Sequence, residues 1–333
     1  MKIHFDWRLS RVIDDQGNIV DELEWDGPMS PSGLANRLLK IQKGSNIPEV
    51  IVLSERFPEA EIDPLGALSD TNWPEITGHD ELFHSASLKL AKMGVAESSG
   101  NFDRRIDMLV SATIETRSSW TTSESRCVEW AGLFITEVDL DSKRDEIPNV
   151  IASSQSISEA SERLGVKPPK HPPTDSEWNS MVSHALSVLS FSKILEQLEG
   201  TIREITLSYA PSLSALLGPI SAAKLISLAG GRERLARMPS GSLQVLGAHS
   251  AMAAHRNGAP PPKHGSVLFS MPQVSRSPRW VRGKIARFLA GKASIAVRVD
   301  HFDGEKWEKN QIDEINLEIE IIKSKFSRPP RRR

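Results

Sequence analysis

The residues that could do chemistry in this chain are the cations of its last third. From Pro211 to Asp300 there are 13 lysine and arginine residues but only two acidic residues, so the formal charge of this segment is +11. The whole chain has a formal charge of −2. A basic segment inside a nearly neutral protein is the electrostatic signature of a polyanionic partner. These residues therefore favour phosphate binding, and a nucleic acid as the partner.

The candidate phosphate contacts lie on a stiff loop and on the helix that follows it. Pro260–Pro262 cannot be helical, and they present Lys263 and His264. Ser277 and Pro278 then predict a helix start, with serine as the N-cap and proline at the first helical position. The predicted helix has one apolar face and one cationic face, and Ser277 to Val299 contains no acidic residue. The candidates are Lys263, His264, Arg279, Arg282, Lys284, Arg287, Arg256 and Lys292, the last of which interrupts the apolar face.

Several blocks of this segment resemble the Nop domain, which occurs in the scaffold protein of box C/D ribonucleoproteins and in a related splicing factor. The blocks are LISLAGG (225–231), QVLGA (244–248), PPKHG (261–265), RGKIAR (282–287) and AVRVD (296–300). The resemblance implies an all-α domain that binds RNA jointly with a kink-turn-binding protein, so the phosphate-binding candidates become RNA-binding candidates. It also makes Gln244 and His255 candidates for contact with the protein partner, although both could equally be helix-packing residues.

The chain departs from the family pattern in the helix after LGA. The family usually has a lysine and an arginine at the positions that Ser250 and Ala254 occupy here, and the loop before Asn257 is one residue shorter. Part of the usual RNA contact surface is therefore missing. RNA affinity is expected to depend more on the helix from Arg279 to Arg298.

Two long helices are predicted to precede the basic segment. Phe102 to Leu133 has apolar residues at helical spacing, and Thr174 with Glu177 has the capping-box spacing that begins a second helix. The second helix has a heptad seam, which predicts antiparallel pairing with the first. The seam residues are Phe191, Leu195, Leu198, Ile202 and Ile205. The Ser-, Asp- and Pro-rich segment 138–173 between the helices is expected to be a partly mobile tip.

The first 100 residues are acidic, with 9 lysine and arginine residues against 17 acidic residues. A hairpin around residues 14–18, helices at Ser32–Lys43 and Ser85–Met93, and a buried strand at Val50–Leu53 predict a small α/β domain. Since acidic charge repels RNA, this domain is expected to face a protein, unless its acidic surface only keeps the chain in solution. By position in the chain, the resemblance implies the methyltransferase fibrillarin as that protein.

The predicted fold is mainly α, with four segments. They are an acidic α/β domain (1–100), a coiled-coil domain (101–210), the Nop domain (211–303), and a short helix with a basic tail (304–333). Within the Nop domain, Leu213–Leu228 is predicted to be one buried helix that Gly230 ends. The basic tail from Phe326 is expected to be disordered and to add non-specific phosphate attraction. The resemblance implies a homodimer formed through the coiled coil.

The sequence gives no support for a metal, a cofactor or a membrane span. One cysteine and nine scattered histidines show no metal-ligand spacing, and no glycine-rich phosphate loop follows a predicted strand. No run of 18 apolar residues occurs. Lys263 and His264 could act as an acid–base pair in an enzyme, but no carboxylate or nucleophile lies in the same motif. We expect no catalytic residue. The lone Cys127 fits a reducing interior, and the resemblance implies an archaeal cytoplasm.

The resemblance implies a non-catalytic scaffold of an archaeal box C/D guide-RNA ribonucleoprotein. In this hypothesis the basic domain binds guide RNA and the kink-turn-binding protein, while the acidic domain holds fibrillarin for ribose 2′-O-methylation of RNA. The alternative is a splicing-factor-like Nop protein that reads an RNA–protein surface without a methyltransferase. The short tail and compact length favour the first hypothesis.

Overall fold

The computed structural model describes residues 1–44, 46–69, 72–74 and 78–329. Over these residues the chain is mainly helical, and its strands form a four-stranded sheet near the amino terminus. The predicted fold class is therefore confirmed. The chain divides into two compact units, Met1–Asn101 and Phe102–Arg333. The finer division into four segments stays a prediction, and the last four residues of the predicted basic tail lie outside the described residues.

The first unit contains the sheet and four helices within its described residues. The strands have the order β3-β2-β1-β4, with β1 antiparallel to β2 and parallel to β4. Their bounds are β1 Lys2–Phe5, β2 Leu9–Ile13, β3 Ile19–Glu24 and β4 Glu61–Asp63. The helices are α1 Pro31–Gln42, α2 Pro48–Arg56, α3 Gly66–Ser69 and α4 Asp80–Ser98. The predicted hairpin is confirmed as β2–β3, and the two predicted helices are confirmed as α1 and α4.

The predicted strand at Val50–Leu53 is wrong, because these residues lie in α2. Pro48 occupies the first turn of this helix, where a missing N–H costs nothing. Val50 and Leu53 are fully buried at helical spacing, while Ile51 and Val52 are exposed. A strand would have placed alternate residues on one face. The run Val50–Leu53 is rich in β-branched residues, but its burial does not alternate, so these residues do not form a strand.

The long helices of the second unit, α5 Phe102–Phe134 and α8 Asp175–Tyr209, pack against each other. Contacts from Arg117 to Glu199 and from Ser123 to His184 show that the two helices are antiparallel. The predicted capping box begins α8. Among the seam residues, Leu195 and Ile202 are buried, and the other three are half-buried.

The run SSWTTSES continues α5 without a break, although its residues are poor helix formers. The hydroxyl groups of Ser119, Thr121 and Thr122 donate hydrogen bonds to carbonyl oxygens four residues earlier, at 2.9–3.1 Å. The hydroxyls are thus satisfied inside the helix, and do not compete with its backbone hydrogen bonds.

Segment 138–173 is folded and packed, which corrects the expected mobile tip. It contains α6 Ile147–Ser153 and α7 Ile157–Arg163. Ile147 and Ile151 of α6 are buried in one cluster with Trp178 and Met181 of α8. The serines and aspartates that suggested a loop lie mainly at the helix ends and on the outer surface, and the proline-rich stretch 167–173 is not helical, as predicted.

The basic segment folds into short helices around a long central one. The helices are α9 Pro211–Leu217, α10 Pro219–Ala229, α11 Arg232–Arg237, α12 Ser240–Gln244, α13 His249–Arg256, α14 Ser266–Ser270, α15 Pro272–Ser275, α16 Arg279–His301 and α17 Lys309–Lys325. The predicted single helix Leu213–Leu228 is two helices, because Gly218 has a φ of +78° and Pro219 begins a new helix. The predicted end at Gly230 is confirmed, with a φ of +79°.

The start of α16, the exposure of Ile295 and the buried face of α17 test three further predictions. Helix α16 begins at Arg279, with Pro278 in the N-cap position; the predicted N-cap Ser277 instead donates its hydroxyl to the carbonyl oxygen of Gln273, at 2.7 Å. Ile295, predicted on the apolar face, is 49% exposed. The predicted amphipathic helix α17 is confirmed, with Ile315 and Ile319 buried.

No single helix among the described residues has both the length and the apolar content needed to cross a membrane. The pair α9 and α10 reaches them only jointly, with a bend of 116° between the two helices.

Candidate nucleic-acid interface

The loop that presents Lys263 is held by the side chain and the backbone carbonyl of Gln244, in the QVLGA block. The Gln244 amide nitrogen donates to the carbonyl oxygen of Lys263 at 2.6 Å, and the Gly265 N–H donates to the carbonyl oxygen of Gln244 at 2.7 Å. A Cβ on Gly265 would lie 1.8 Å from the Leu246 carbonyl oxygen, so only glycine allows this approach. Gln244 is 8% exposed. Its side chain thus supports the loop, and its contact with a partner protein stays a prediction.

The same loop lies against α16 at its glycine. A Cβ on Gly283 would be 3.4 Å from the Cβ of Lys263, so the loop and the helix are in close contact. The side chain of Lys263 is exposed. The half-buried ring of His264 stacks on Phe269, with 4.8 Å between ring centroids and 12° between planes. The loop thus presents a lysine at a fixed position, and its histidine is partly covered by an aromatic ring.

Arg282 makes internal contacts, although the sequence indicated a phosphate contact. Its guanidinium donates to the carbonyl oxygens of Ser277 at 2.7 Å and Ser275 at 2.9 Å. It also lies 5.6 Å from the ring centroid of Phe269. These contacts fix the turn between α15 and α16. The geometry assigns Arg282 to the support of the site, and its RNA contact stays a prediction.

The exposed face of α16, here called the α16 stripe, consists of Trp280, Lys284, Arg287, Gly291, Ile295 and Arg298. These residues recur at steps of four and three and so share one side of the helix. The acid of this helix, Asp300, is buried; its carboxylate accepts the backbone N–H groups of Ser212 and Leu213, both at 2.9 Å. This arrangement satisfies the start of α9 and removes the negative charge from the stripe.

The two candidate lysines of α16 contact α17 and Phe326, the residue that follows α17. The ammonium of Lys292 is 3.7 Å from the carboxylate of Glu318 in α17 and 5.3 Å from the Phe288 ring centroid. Lys292 is half-buried, so its charge is largely matched within the chain. The ammonium of Lys284 lies 4.0 Å above the ring of Phe326, and its side chain stays exposed.

Helix α13 contains the departures from the family pattern and has no buried residue. Ser250, Ala254 and Arg256 are all exposed, so one cation and several small side chains face solvent. The ring Nδ1 of His255 is 2.6 Å from the carbonyl oxygen of Ala259. This contact occupies one ring nitrogen in the local turn, and leaves contact with a partner as a prediction.

Two exposed residues beside the candidates, Arg276 and Trp280, were not predicted, and Arg298 was predicted on the cationic helix without being named as a candidate. Arg276 precedes α16, and Trp280 and Arg298 lie on the α16 stripe. Arg298 donates its Nε–H to the carbonyl oxygen of Ala236 at 2.9 Å, which joins the end of the stripe to α11. The spacing of Trp280 from Lys284, one helical turn, was the signal that could have found it.

The LISLAGG block attaches the basic segment to α5. The Ser227 hydroxyl donates to the Asp107 carboxylate at 2.6 Å, and the Arg232 N–H donates to the Asp103 carboxylate at 2.9 Å. The Arg232 guanidinium lies 4.1 Å from the ring centroid of Tyr209, at the end of α8. Burial, followed by the nearby Asp103 carboxylate, raises the pKa of Tyr209 to about 12. Both long helices are thereby joined to the domain that carries the cations.

The arrangement can bind phosphate groups, and it offers no metal centre. Within the described ranges, no group of three or more His, Cys, Asp or Glu side chains is placed to hold a metal ion. The exposed cations on α13, on the loop and on α16 are Arg256, Lys263, Arg279, Lys284, Arg287 and Arg298.

The sequence of this chain is similar to those of several known proteins. A family model described as "Nop: snoRNA binding domain, fibrillarin" matches residues 128–321. An uncharacterised NOP5 family protein of Methanocaldococcus jannaschii is 37% identical over 156 residues, which are 46% of this chain and 37% of that protein. Nucleolar protein 58 of Candida albicans is 32% identical over 44% of this chain and 28% of its own length.

Human nucleolar protein 56 is 37% identical over 36% of this chain and 20% of its own length. The matches thus span well under half the length of these relatives. A solved chain in the crystal structure of a fibrillarin/Nop5p complex aligns over 92% of this chain and 97% of its own, at 20% identity and a TM-score of 0.42. Since the family model matches more than half of the sequence, the chain belongs to the Nop family.

Proposed function

We propose that this protein is a non-catalytic scaffold of a box C/D guide-RNA ribonucleoprotein in an archaeal cytoplasm. The basic domain binds guide RNA together with a kink-turn-binding protein. The acidic unit holds a fibrillarin-type methyltransferase, which methylates a ribose 2′-hydroxyl of the RNA paired with the guide. Family membership and the names of the relatives support these roles.

One observation carries the RNA-binding part of this proposal. The exposed face of α16 contains cations and no carboxylate, because the acid of that helix is turned inward to cap α9. The loop at Lys263 is fixed beside the same helix by Gln244 and Gly283. Fixed cations on one acid-free surface match a phosphate backbone, and they need little reorganisation on binding.

The remaining parts of the scaffold role rest on charge and exposed surface. The acidic unit has 17 acidic residues. Its negative charge is complementary to a basic protein surface and repels RNA. The paired helices α5 and α8 expose apolar side chains at Met108, Ile114 and Leu186. We propose that these surfaces join two copies of the chain, so that one particle contains two methyltransferase positions. Light scattering of the purified chain tests this point, and a monomeric mass contradicts it.

A gel-shift experiment tests the RNA role. The full chain is titrated into a box C/D kink-turn RNA, with and without the kink-turn-binding protein. We expect the chain alone to bind RNA weakly and a much tighter complex to form when the kink-turn-binding protein is also present, and we expect the double variant Lys284→Ala/Arg287→Ala to weaken it. Equal binding to unrelated RNA without the protein would instead indicate a general RNA binder, as the Ser250 and Ala254 departures would allow.

A separate binding experiment tests the methyltransferase role. The full chain and a variant that lacks residues 1–101, the first compact unit, are each mixed with purified fibrillarin. We expect co-elution from a sizing column with the full chain alone. Co-elution with the shortened variant would contradict the proposed role of the acidic unit, and failure of the full chain would favour the splicing-factor-like alternative.

A further inference from the structure

Trp280 is the tryptophan of this chain that lies most open to solvent. It is 37% exposed, whereas Trp7 and Trp178 are 5% and 8% exposed and the other five are half-buried. All eight tryptophans lie in the part of the chain that the structure describes. An indole ring gains much free energy from burial and stacks well on flat partners, so the charges around it decide whether it serves a ligand.

The polar edge of the Trp280 ring is already satisfied inside the chain. The indole N–H donates to the carbonyl oxygen of Phe326 at 2.9 Å, and the ring of Phe326 in turn lies under the ammonium of Lys284. The hydrogen bond fixes the orientation of the indole. What remains exposed is therefore ring carbon, which can stack on a flat partner.

The charges around Trp280 decide which flat partner it suits. Arg279 precedes it, Lys284 follows one turn later, and Arg287 follows after two turns, about 10 Å along the helix at ~1.5 Å per residue. The exposed face of α16 has no carboxylate, since Asp300 is buried. An aromatic ring beside a row of cations is the combination by which proteins bind unpaired nucleic-acid strands.

We propose that Trp280 stacks on an unpaired nucleobase of the bound RNA, while Lys284 and Arg287 bind the phosphates that flank it. The inference rests on the proposed RNA-binding function and adds to it a class of ligand, because base-paired RNA keeps its bases stacked inside the duplex. A region of the RNA that contacts α16 must then be a loop, a bulge or a strand end.

The test compares two replacements of Trp280 in the full chain. Trp280→Phe keeps an aromatic ring, and Trp280→Leu keeps an apolar side chain without one; both lose the hydrogen bond to Phe326. Leu317→Ala is the control, because it removes exposed apolar surface from α17, outside the α16 stripe. The probes are a single-stranded RNA of about 12 nucleotides, within the usual range of site sizes, and a blunt RNA duplex of the same length.

We expect Trp280→Leu to lower affinity for the single strand about fivefold or more, and to leave affinity for the duplex unchanged. Trp280→Phe and Leu317→Ala should stay close to the unsubstituted protein for both probes. Single-stranded RNA should also quench tryptophan fluorescence of the unsubstituted chain more strongly than that of Trp280→Phe. Circular dichroism shows whether each variant is folded.

Three results would overturn the inference. Unchanged single-strand affinity in Trp280→Leu removes the stacking role, and equal losses in both Trp280 variants assign the effect to the Phe326 hydrogen bond. A loss seen only with the kink-turn-binding protein present makes Trp280 a protein contact. A different result would contradict the RNA-binding proposal itself. If Lys284→Ala/Arg287→Ala binds both probes as the unsubstituted chain does, α16 is not the RNA surface.

Discussion

At the scale of single residues, the arginines of α16 differ in how they are used. Arg282 donates to two backbone carbonyl oxygens, whereas Arg287 is exposed on the α16 stripe. A helical wheel assigns both to a cationic face. The wheel gives the direction of a side chain and not its partners, so it cannot separate a cation that supports the fold from one that is available to a ligand.

Replacing each arginine by alanine should therefore give different results. Arg282→Ala should lower the free energy of unfolding by about 1–3 kcal/mol, because the carbonyl oxygens of Ser275 and Ser277 lose their donor. Arg287→Ala should leave stability nearly unchanged and reduce the salt dependence of RNA binding by about one unit of slope. Urea unfolding and RNA titrations at several salt concentrations measure the two effects. The reverse outcome, a stability loss at Arg287 alone, would contradict the assignment.

The single tyrosine gives a second test at this scale. Burial and the Asp103 carboxylate raise the pKa of Tyr209 to about 12, so the folded state favours the neutral phenol. Its stabilising contribution is complete below the ordinary tyrosine pKa of about 10, and is lost as the pH rises through about 12. Tyrosinate absorbance should show a midpoint near 12 in the folded chain and near 10 in urea, with circular dichroism as the control for folding. A folded midpoint near 10 would mean that the phenol is open to water.

At the scale of elements, the sequence predicted the long helices and missed many of the short ones, together with the features that depend on packing. The capping box of α8 and the glycine that ends α10 are local signals, and both were predicted correctly. The strand at Val50–Leu53 failed because burial in α2 follows a helical period. Helices α6 and α7 were not predicted, because the apolar residues of α6 pack against α8, which follows later in the chain, and α7 packs against α6. The hydrogen bond from the Gln244 side chain to the Lys263 carbonyl oxygen joins two separate segments. Neither segment alone contains a pattern that predicts it.

Substitutions at two glycines of the basic domain test backbone strain and helix propensity separately. Gly231 has a φ of +130°, and a Cβ there would lie 2.8 Å from the Asp103 carboxylate oxygen. Gly231→Ala should therefore lower the free energy of unfolding by about 1–3 kcal/mol. Gly291 lies inside α16 with nothing within 4 Å of an added Cβ, so Gly291→Ala should raise it by about 0.5–1 kcal/mol. Urea unfolding of the two variants measures both changes, and a stability loss in Gly291→Ala would contradict this account.

At the scale of the whole molecule, charge is divided between segments. The net charge of −2 conceals a segment of +11 and an acidic first hundred residues. Net charge alone would predict weak binding to RNA. The structure places five of the RNA-binding candidates on exposed positions, namely Arg256, Lys263, Arg279, Lys284 and Arg287, and Arg298 is also exposed on α16. Binding should therefore follow the local charge of this surface.

The salt dependence of RNA binding tests that conclusion. Each phosphate contact to a single strand contributes about −0.7 to the slope of log affinity against log salt concentration, so five contacts give about −3.5. Affinity should then fall about 100-fold between 50 and 200 mM salt. Filter binding of the full chain over this range measures the slope, and Lys284→Ala/Arg287→Ala is the variant that should reduce it. A slope near zero would show that the exposed cations do not meet phosphates, since an interface held by apolar and protein contacts depends little on salt.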